Sequence, residues 1–149
     1  MLLSLHALNY SDAPLLAAIH KRSVENLWNE AEFLTLLQNP CYGGWLAVWQ
    51  DQPIGFILGS FIPPDAEILT FAVLPERRRQ SAGKQLLTHF LQECPSSVHT
   101  IFLEVDRTNL AAIHLYKKLG FKTVGSRKNY YQHTDGTTTD ANVMRFKKI

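Results

Sequence analysis

Residues 68–87, ILTFAVLPERRRQSAGKQLL, begin as a strand and end as a helix, with a cationic loop between. Ile68, Leu69, Phe71, Ala72 and Val73 form an apolar run with β-branched and aromatic members, the pattern of a strand covered on both faces. Pro75 lacks the N–H that a ladder needs and closes the strand. Arg77, Arg78, Arg79 and Gln80 follow, then the small residues Ser81, Ala82 and Gly83. From Lys84 onward, Leu86, Leu87, Phe90, Leu91 and Cys94 recur at helical spacing until Pro95 stops the run. A strand, a small-residue loop and a helix N-terminus together suit an anion. The first helical N–H groups have no partner in the helix, and the macrodipole puts positive charge there. A solvated basic turn ahead of an ordinary helix has the same composition, and spacing by itself does not choose between the two.

Residues 2–8 form a first strand, and Ser11 or Asp12 caps a helix that tolerates Pro14 in its first turn. Leu15, Leu16, Ile19 and Val24 supply its apolar face; Trp28, Phe33, Leu34 and Leu37 mark a second short helix. Trp28 and Tyr42 either line a substrate mouth or pack a helix onto a sheet. Residues 45–50 and 54–62 are two strands joined by a turn at Asp51-Gln52-Pro53, and Pro63-Pro64-Asp65 leads into the strand at Ile68. Four strands therefore precede the main helix as an antiparallel meander.

Beyond Pro95 lies the second informative stretch, residues 101–121, IFLEVDRTNLAAIHLYKKLGF. A strand over residues 100–105 is separated from the first by a helix, so the two should run parallel through a right-handed crossover. Asn109 can cap a helix carrying Ala112, Ile113, Leu115, Tyr116 and Leu119, with Gly120 at its C′ position. Residues 121–124 open the last β region, Asp135-Gly136 signals a hairpin, and residues 142–147 form the closing strand. Ligands of such sheets bind beyond the carboxyl ends of the parallel strands, where the basic loop and Glu104 both fall. A carboxylate in an otherwise apolar strand has either a task, a cationic partner or an exposed position.

The composition is that of an ordinary globular domain of 149 residues, with a formal net charge of +2 that does not by itself imply nucleic acid. No apolar run is long enough to span a membrane, and the N-terminus lacks a basic leader, so a cytoplasmic protein with Cys41 and Cys94 as reduced thiols is expected. Cys94 lies on the apolar helix face and reads as core rather than as a nucleophile. The six histidines show no metal spacing, and no metal is expected.

Two motifs carry a resemblance to a known family. Arg78-Arg79-Gln80-Ser81-Ala82-Gly83 resembles the acetyl-CoA loop of the GNAT acetyltransferases, Q/R-x-x-G-x-G/A, with Ser81 where the first glycine belongs. Leu103-Glu104-Val105, Asn109, Ala112-Ile113, Leu115-Tyr116 and Leu119-Gly120-Phe121 resemble the matching segment of RimI-type enzymes, the GNATs that acetylate the N-terminal alanine of a small-subunit ribosomal protein. The likeness continues through Arg127-Lys128-Asn129-Tyr130-Tyr131 and Asp135-Gly136, and is looser in the N-terminal third.

The resemblance implies one α/β (α+β) domain over residues 1–149. Its central sheet would be mixed and mostly antiparallel, of about seven strands with a parallel pair at its centre, flanked by about four helices. It implies acetyl-CoA as co-substrate, bound by the backbone of Phe71, Ala72 and Val73, by the loop Arg78, Arg79, Gln80, Ser81, Ala82, Gly83 and Lys84, and by Asn109. Glu104 would be the general base on the incoming ammonium and Tyr116 the general acid on the leaving thiolate. The acceptor would be a protein or peptide N-terminus, with no nucleic acid and no membrane involved. An α-amine with a pKa near ~8 is mostly protonated at neutral pH, so a carboxylate that removes its proton makes chemical sense. A Val73 N–H would stabilise the oxyanion, and transfer needs no acyl-enzyme. Glu67 is a second candidate for the base, read by alternation as sharing a face with Leu69, Phe71 and Val73. Tyr130 and Tyr131 either close over the peptide or pair across the hairpin. Lysine side chains, small amines and a non-catalytic CoA-binding module stand as alternatives, the last favoured by Ser81.

Overall fold

The computed structural model describes residues 3–23, 28–78 and 81–148. Seven strands form one sheet: β1 (Ser4–Ala7), β2 (Tyr42–Trp49), β3 (Gln52–Ile62), β4 (Asp65–Val73), β5 (Thr100–Asp106), β6 (Lys122–Gln132) and β7 (Thr138–Lys147). Helices α1 (Ala13–Ser23) and α2 (Glu30–Leu37) follow β1, α3 (Ala82–Glu93) joins β4 to β5, and α4 (Leu110–Lys118) follows β5. The spatial order is β1-β2-β3-β4-β5-β7-β6. Among the described residues only β4 and β5 pair in parallel; the other neighbours are antiparallel. The expected meander, the parallel pair and the element order are all present.

β3 is the spine. Every residue from Ile54 to Gly59 is buried, as suits a strand covered on both faces. Ile57 on one face packs with Leu86, Leu87 and Phe90 of α3 and with Ile101, Leu103 and Val105 of β5. Phe56 and Leu58 on the other face pack with Leu16, Ile19 and Phe33 of α1 and α2. Phe90 descends onto β3 at Gly59, where a Cβ would come within 2.7 Å of its ring. Each such fully buried side chain contributes about 1.5–3 kcal/mol.

Several local details differ from the sequence reading. The α1 region is capped by Asn9, whose side chain accepts from the Ser11 N–H, so the helical path begins before Ser11. The β2–β3 turn is Gln50-Asp51, both at positive φ, with Gln52 and Pro53 already on β3. Val24 lies outside the described residues.

The largest departure is in β4. Thr70 faces Leu58 while Ile68 faces Gly59, so Leu69 is an extra residue on β4. Such a bulge reverses the alternation beyond it. Ala66 and Ile68 belong to the α3-side core before the bulge, and Phe71 and Val73 pack on that core after it. Glu67 therefore shares its face with Ala72, not with Phe71 and Val73 as simple alternation implied. The bulge also bends β4 away from β5, whose pairing with it ends at Ile68 opposite Leu103.

Candidate active site

Where β4 and β5 part, they open a cleft of about 540 Å³. One wall is Glu67 to Phe71 and the other is Leu103 to Asp106; Asn109 and Tyr116 come from the α4 region, and Tyr130, Tyr131 and His133 from the β6–β7 hairpin. His20, Ser23 and Trp28 close the α1 side. The Leu74 N–H bonds to the Ile54 carbonyl, so by antiparallel alternation the backbone groups of Ala72 bond back to β3. Those of Phe71 and Val73 turn toward the gap. Of the three residues expected to offer backbone groups there, Phe71 and Val73 face the gap, and Ala72 is buried in the opposite core.

Beyond the C-terminal end of β4 the basic loop leads into α3. Arg78 donates from Nε to the Val73 carbonyl at 3.2 Å and from Nη2 to the Ser23 carbonyl at 2.8 Å. Arg77 lies over the Trp49 ring, 4.6 Å from its centroid, and reaches Gln52. These two guanidinium groups thus bind the loop to the fold. Arg79 and Gln80 lie outside the described residues. Ser81 sits at φ +64°, in the left-handed region, and its hydroxyl accepts from Gln85 Nε2 at 2.9 Å. Ala82 is buried, Lys84 is exposed, and Gly83 passes close to the Phe71 ring. The first N–H groups of α3 have no intrahelical acceptor, as at any helix N-terminus, and leave positive partial charge there.

Glu104 projects into the cleft from the face of β5 opposite Ile101, Leu103 and Val105. Its side chain is 14% exposed, and Oε1 lies 2.8 Å from Arg127 Nε. The Tyr130 hydroxyl also donates to Glu104, which holds the Tyr130 phenol above its usual pKa. Glu67 faces the same cleft. Burial raises its carboxyl pKa, the Glu104 charge adds to that, and Arg127 opposes both.

Tyr116 is buried against the rings of Phe71 and Phe121. Burial pushes its phenol well above the usual value, and Tyr131 adds to the effect. Tyr131 is pushed up in the same way, chiefly by burial and then by Glu104. Asn109 caps α4 by accepting from the Ala112 N–H at 3.2 Å, as its position suggested, and lines the cleft as well.

Trp28 both lines the cleft and packs against His20 and Phe33; Tyr42, on β2, is not among the lining residues. Burial holds the Cys94 thiol above its usual pKa, consistent with a core residue. Among the described residues no three His, Cys, Asp or Glu side chains cluster as a metal site requires.

Three features of the cleft were absent from the sequence reading. Arg127 pairs with Glu104 across 23 positions of sequence, and no local pattern reports such a contact. Asp106 accepts from the Thr108 N–H and hydroxyl and from the Thr139 hydroxyl, and lies 3.5 Å from His133 Nε2. Burial pushes the Asp106 carboxyl up, but these bonds outweigh it and hold the pKa below the usual range. His20 is 3% exposed and accepts the Trp28 N–H at Nδ1. Burial lowers its pKa from 6.5 to about 4, against the pull of Glu32.

A bulged strand splayed from its parallel neighbour, with a small-residue helix N-terminus beyond it, is the architecture of an acyl-CoA-dependent N-acetyltransferase. The chain belongs to the acetyltransferase (GNAT) family, whose model matches residues 13–121. Among its relatives is the [ribosomal protein bS18]-alanine N-acetyltransferase of Escherichia coli K12, 32% identical over 142 residues and 95% of each chain. The putative enzyme of the same name from Bacillus subtilis is 35% identical over 116 residues, 76% of each chain. The crystal structure of the E. coli ribosomal-protein-S18-alanine N-acetyltransferase superposes with a TM-score of 0.91 at 31% identity, over 98% of this chain and 94% of that one. NAA60 of Arabidopsis thaliana in complex with acetyl-CoA has the same fold, with a TM-score of 0.87 at 20% identity over 98% of each chain.

Proposed function

We propose that this chain, as one domain over residues 1–149, transfers the acetyl group of acetyl-CoA to the α-amine of a protein N-terminus. Alanine is the favoured first residue and a small-subunit ribosomal protein the favoured acceptor, as in the relatives' names. The observation that carries the reading is the cleft itself. The free edge of β4 up to Phe71, the carboxylate of Glu104 and the side chain of Tyr116 line one space, and Val73 follows directly on the same edge.

In this reading the pantetheine arm of acetyl-CoA lies along the free edge of β4, and its pyrophosphate meets the N-terminus of α3 at Ser81 to Lys84. Arg79 and Gln80 belong to the same loop. Arg78 contributes by fixing the loop to Val73 and Ser23 rather than by free charge. Asn109 offers its side-chain amide at the α4 end. The acceptor's ammonium gives its proton to Glu104, directly or through water, and the neutral amine attacks the thioester carbon. The Val73 N–H stabilises the oxyanion, collapse expels the CoA thiolate, and the second proton of the amine nitrogen passes to that thiolate, which also accepts a hydrogen bond from the Tyr116 hydroxyl. Two substrates held in one cleft supply most of the acceleration. Among the described residues no helix is long and apolar enough to cross a membrane, and a cytoplasmic setting accompanies this proposal.

The test is thiol release from acetyl-CoA with a panel of acceptors: a free alanine-terminated peptide, an N-blocked lysine peptide and a polyamine. Turnover is expected on the first, and Glu104→Gln should lower kcat by about 100-fold with the KM for acetyl-CoA unchanged. Turnover confined to the lysine peptide or the polyamine would replace the acceptor class.

A further inference from the structure

The β6–β7 hairpin brings a permanent cation to the carboxylate that the acceptor's ammonium must reach. Arg127 lies opposite Ala141, which in turn lies opposite Asp106 on β5. The neighbouring row runs Glu104, Val143, Gly125. The arginine stem thus crosses a small alanine, and no side chain at Gly125 obstructs the diagonal to Glu104. Nε ends 2.8 Å from Glu104 Oε1, and the guanidinium carbon lies 5.7 Å from the centre of the Tyr130 ring.

The two partners are unequal. The Glu104 side chain is 14% exposed, and that of Arg127 is 59% exposed. A shielded carboxylate next to a second one, Glu67, is costly to leave bare. A solvated arginine, by contrast, can swing aside at little cost. The backbone beneath it is fixed. Two extra residues on β6 between Arg127 and Tyr131 form a wide bulge with Asn129 at φ +54°. The Asn129 N–H donates to Asp140 Oδ1 at 3.0 Å, and its Oδ1 accepts from the Thr138 hydroxyl at 2.9 Å. Motion is left to the side chain.

We propose that Arg127 is a resident stand-in for the acceptor's ammonium: it holds Glu104 in the free enzyme and is exchanged for the substrate's cation when the acceptor binds. This rests on the reading of the cleft as an α-amine acetylation site. Arg127 is then a positioning residue that every acceptor has to displace, and only a cation can replace what it gives Glu104. Tyr130 stays on Glu104 throughout and keeps the carboxylate aimed.

The test separates exchange from two simpler roles. Replacing Arg127 with Gln removes the competitor. The KM for an alanine-terminated peptide is expected to fall by about fivefold, the equivalent of ~1 kcal/mol of competing ion pair, with the KM for acetyl-CoA unchanged. Arg127→Lys, which restores a cation, should move the value back toward wild type. A KM that rises would mean that Arg127 grips the acceptor, and an unchanged KM that it only braces the hairpin; either overturns the proposal. A second readout needs no turnover. The Nε–H signal of Arg127 in a 15N-labelled protein, identified by its loss in Arg127→Lys, should shift on titration with the free-amine peptide in the presence of CoA. It should stay in place with the same peptide N-acetylated. A signal unmoved by saturating free-amine peptide overturns the exchange, whereas absence of wild-type turnover on any α-amine overturns the functional reading instead.

Discussion

Glu67 and Glu104 stand on the same face of the sheet on adjacent parallel strands, Glu67 opposite Phe102 and Glu104 one pleat further along β5. The pair exists because the Leu69 bulge comes after Glu67, leaving that residue in register with β5 while turning the rest of β4 over. Burial raises the Glu67 carboxyl pKa, the Glu104 charge adds to that, and Arg127 opposes both.

A stability prediction follows for Glu67. Its folded pKa lies above its unfolded one, so its favourable share is complete below the unfolded value and is lost as pH rises through the raised value. At neutral pH the ionised group is a cost to the fold. Glu67→Gln should therefore raise Tm at pH 7 by up to about 2 °C. The gain should vanish below about pH 4, where the carboxyl is protonated in both states. Thermal melts of both proteins across that range provide the check.

Tyr116 can be tested without disturbing its packing. Tyr116→Phe keeps the ring between Phe71 and Phe121. Because burial makes this phenol a weaker acid than free tyrosine, full proton transfer to a thiolate has little driving force, and the role proposed for it is that of a hydrogen-bond donor. The expected outcome is a fall in kcat of about tenfold, smaller than that of Glu104→Gln, with melting close to wild type. An alkaline limb in the pH–rate profile, where one exists, should survive the substitution.

Ser81 carries a backbone cost. A non-glycine residue at φ +64° is strained, and Gln85 Nε2 on its hydroxyl offsets part of the strain. Ser81→Gly is expected to stabilise the protein by roughly 0.5–1 kcal/mol in urea unfolding. Calorimetric titration with CoA should show tighter binding, because the glycine lets a phosphate approach the backbone more closely.

His20 predicts an acid-sensitive step. Its pKa falls from 6.5 to about 4 on folding, so the unfolded chain takes up a proton that the fold refuses. Stability attached to neutral His20 is complete above pH 6.5 and lost as pH falls toward 4. In His20→Gln this segment of the stability–pH curve should flatten, at the expense of aromatic packing around Phe33 and Phe56. Urea midpoints measured from pH 7 to 4 would reveal it.

The second half of the molecule was the more legible in sequence. Alternation in IFLEV, a capping Asn109 and a terminal Gly120 each report a local requirement, and β5 and α4 follow them closely. The Leu69 bulge was not legible, because a leucine suits an extra residue as well as a paired one. Its effect was to misassign the face of Glu67. The partners of Arg77 and Arg78 were equally hidden: a run of arginines reads as free charge, yet both side chains here have protein partners. Asn129 gave a faint signal, since an asparagine within a strand is the residue type that tolerates positive φ. It marked the bulge that brings Arg127 and Tyr130 to Glu104.

β7 has a consequence for the order of assembly. It lies between β5 and β6, so the strand carrying Glu104 acquires its second neighbour only from residues 138–147, more than thirty positions downstream. On a growing chain, β1 to β4 can pair while the far side of β5 is still an unpaired edge. The insertion of β7 is the step that gives the strand carrying Glu104 a neighbour on each side.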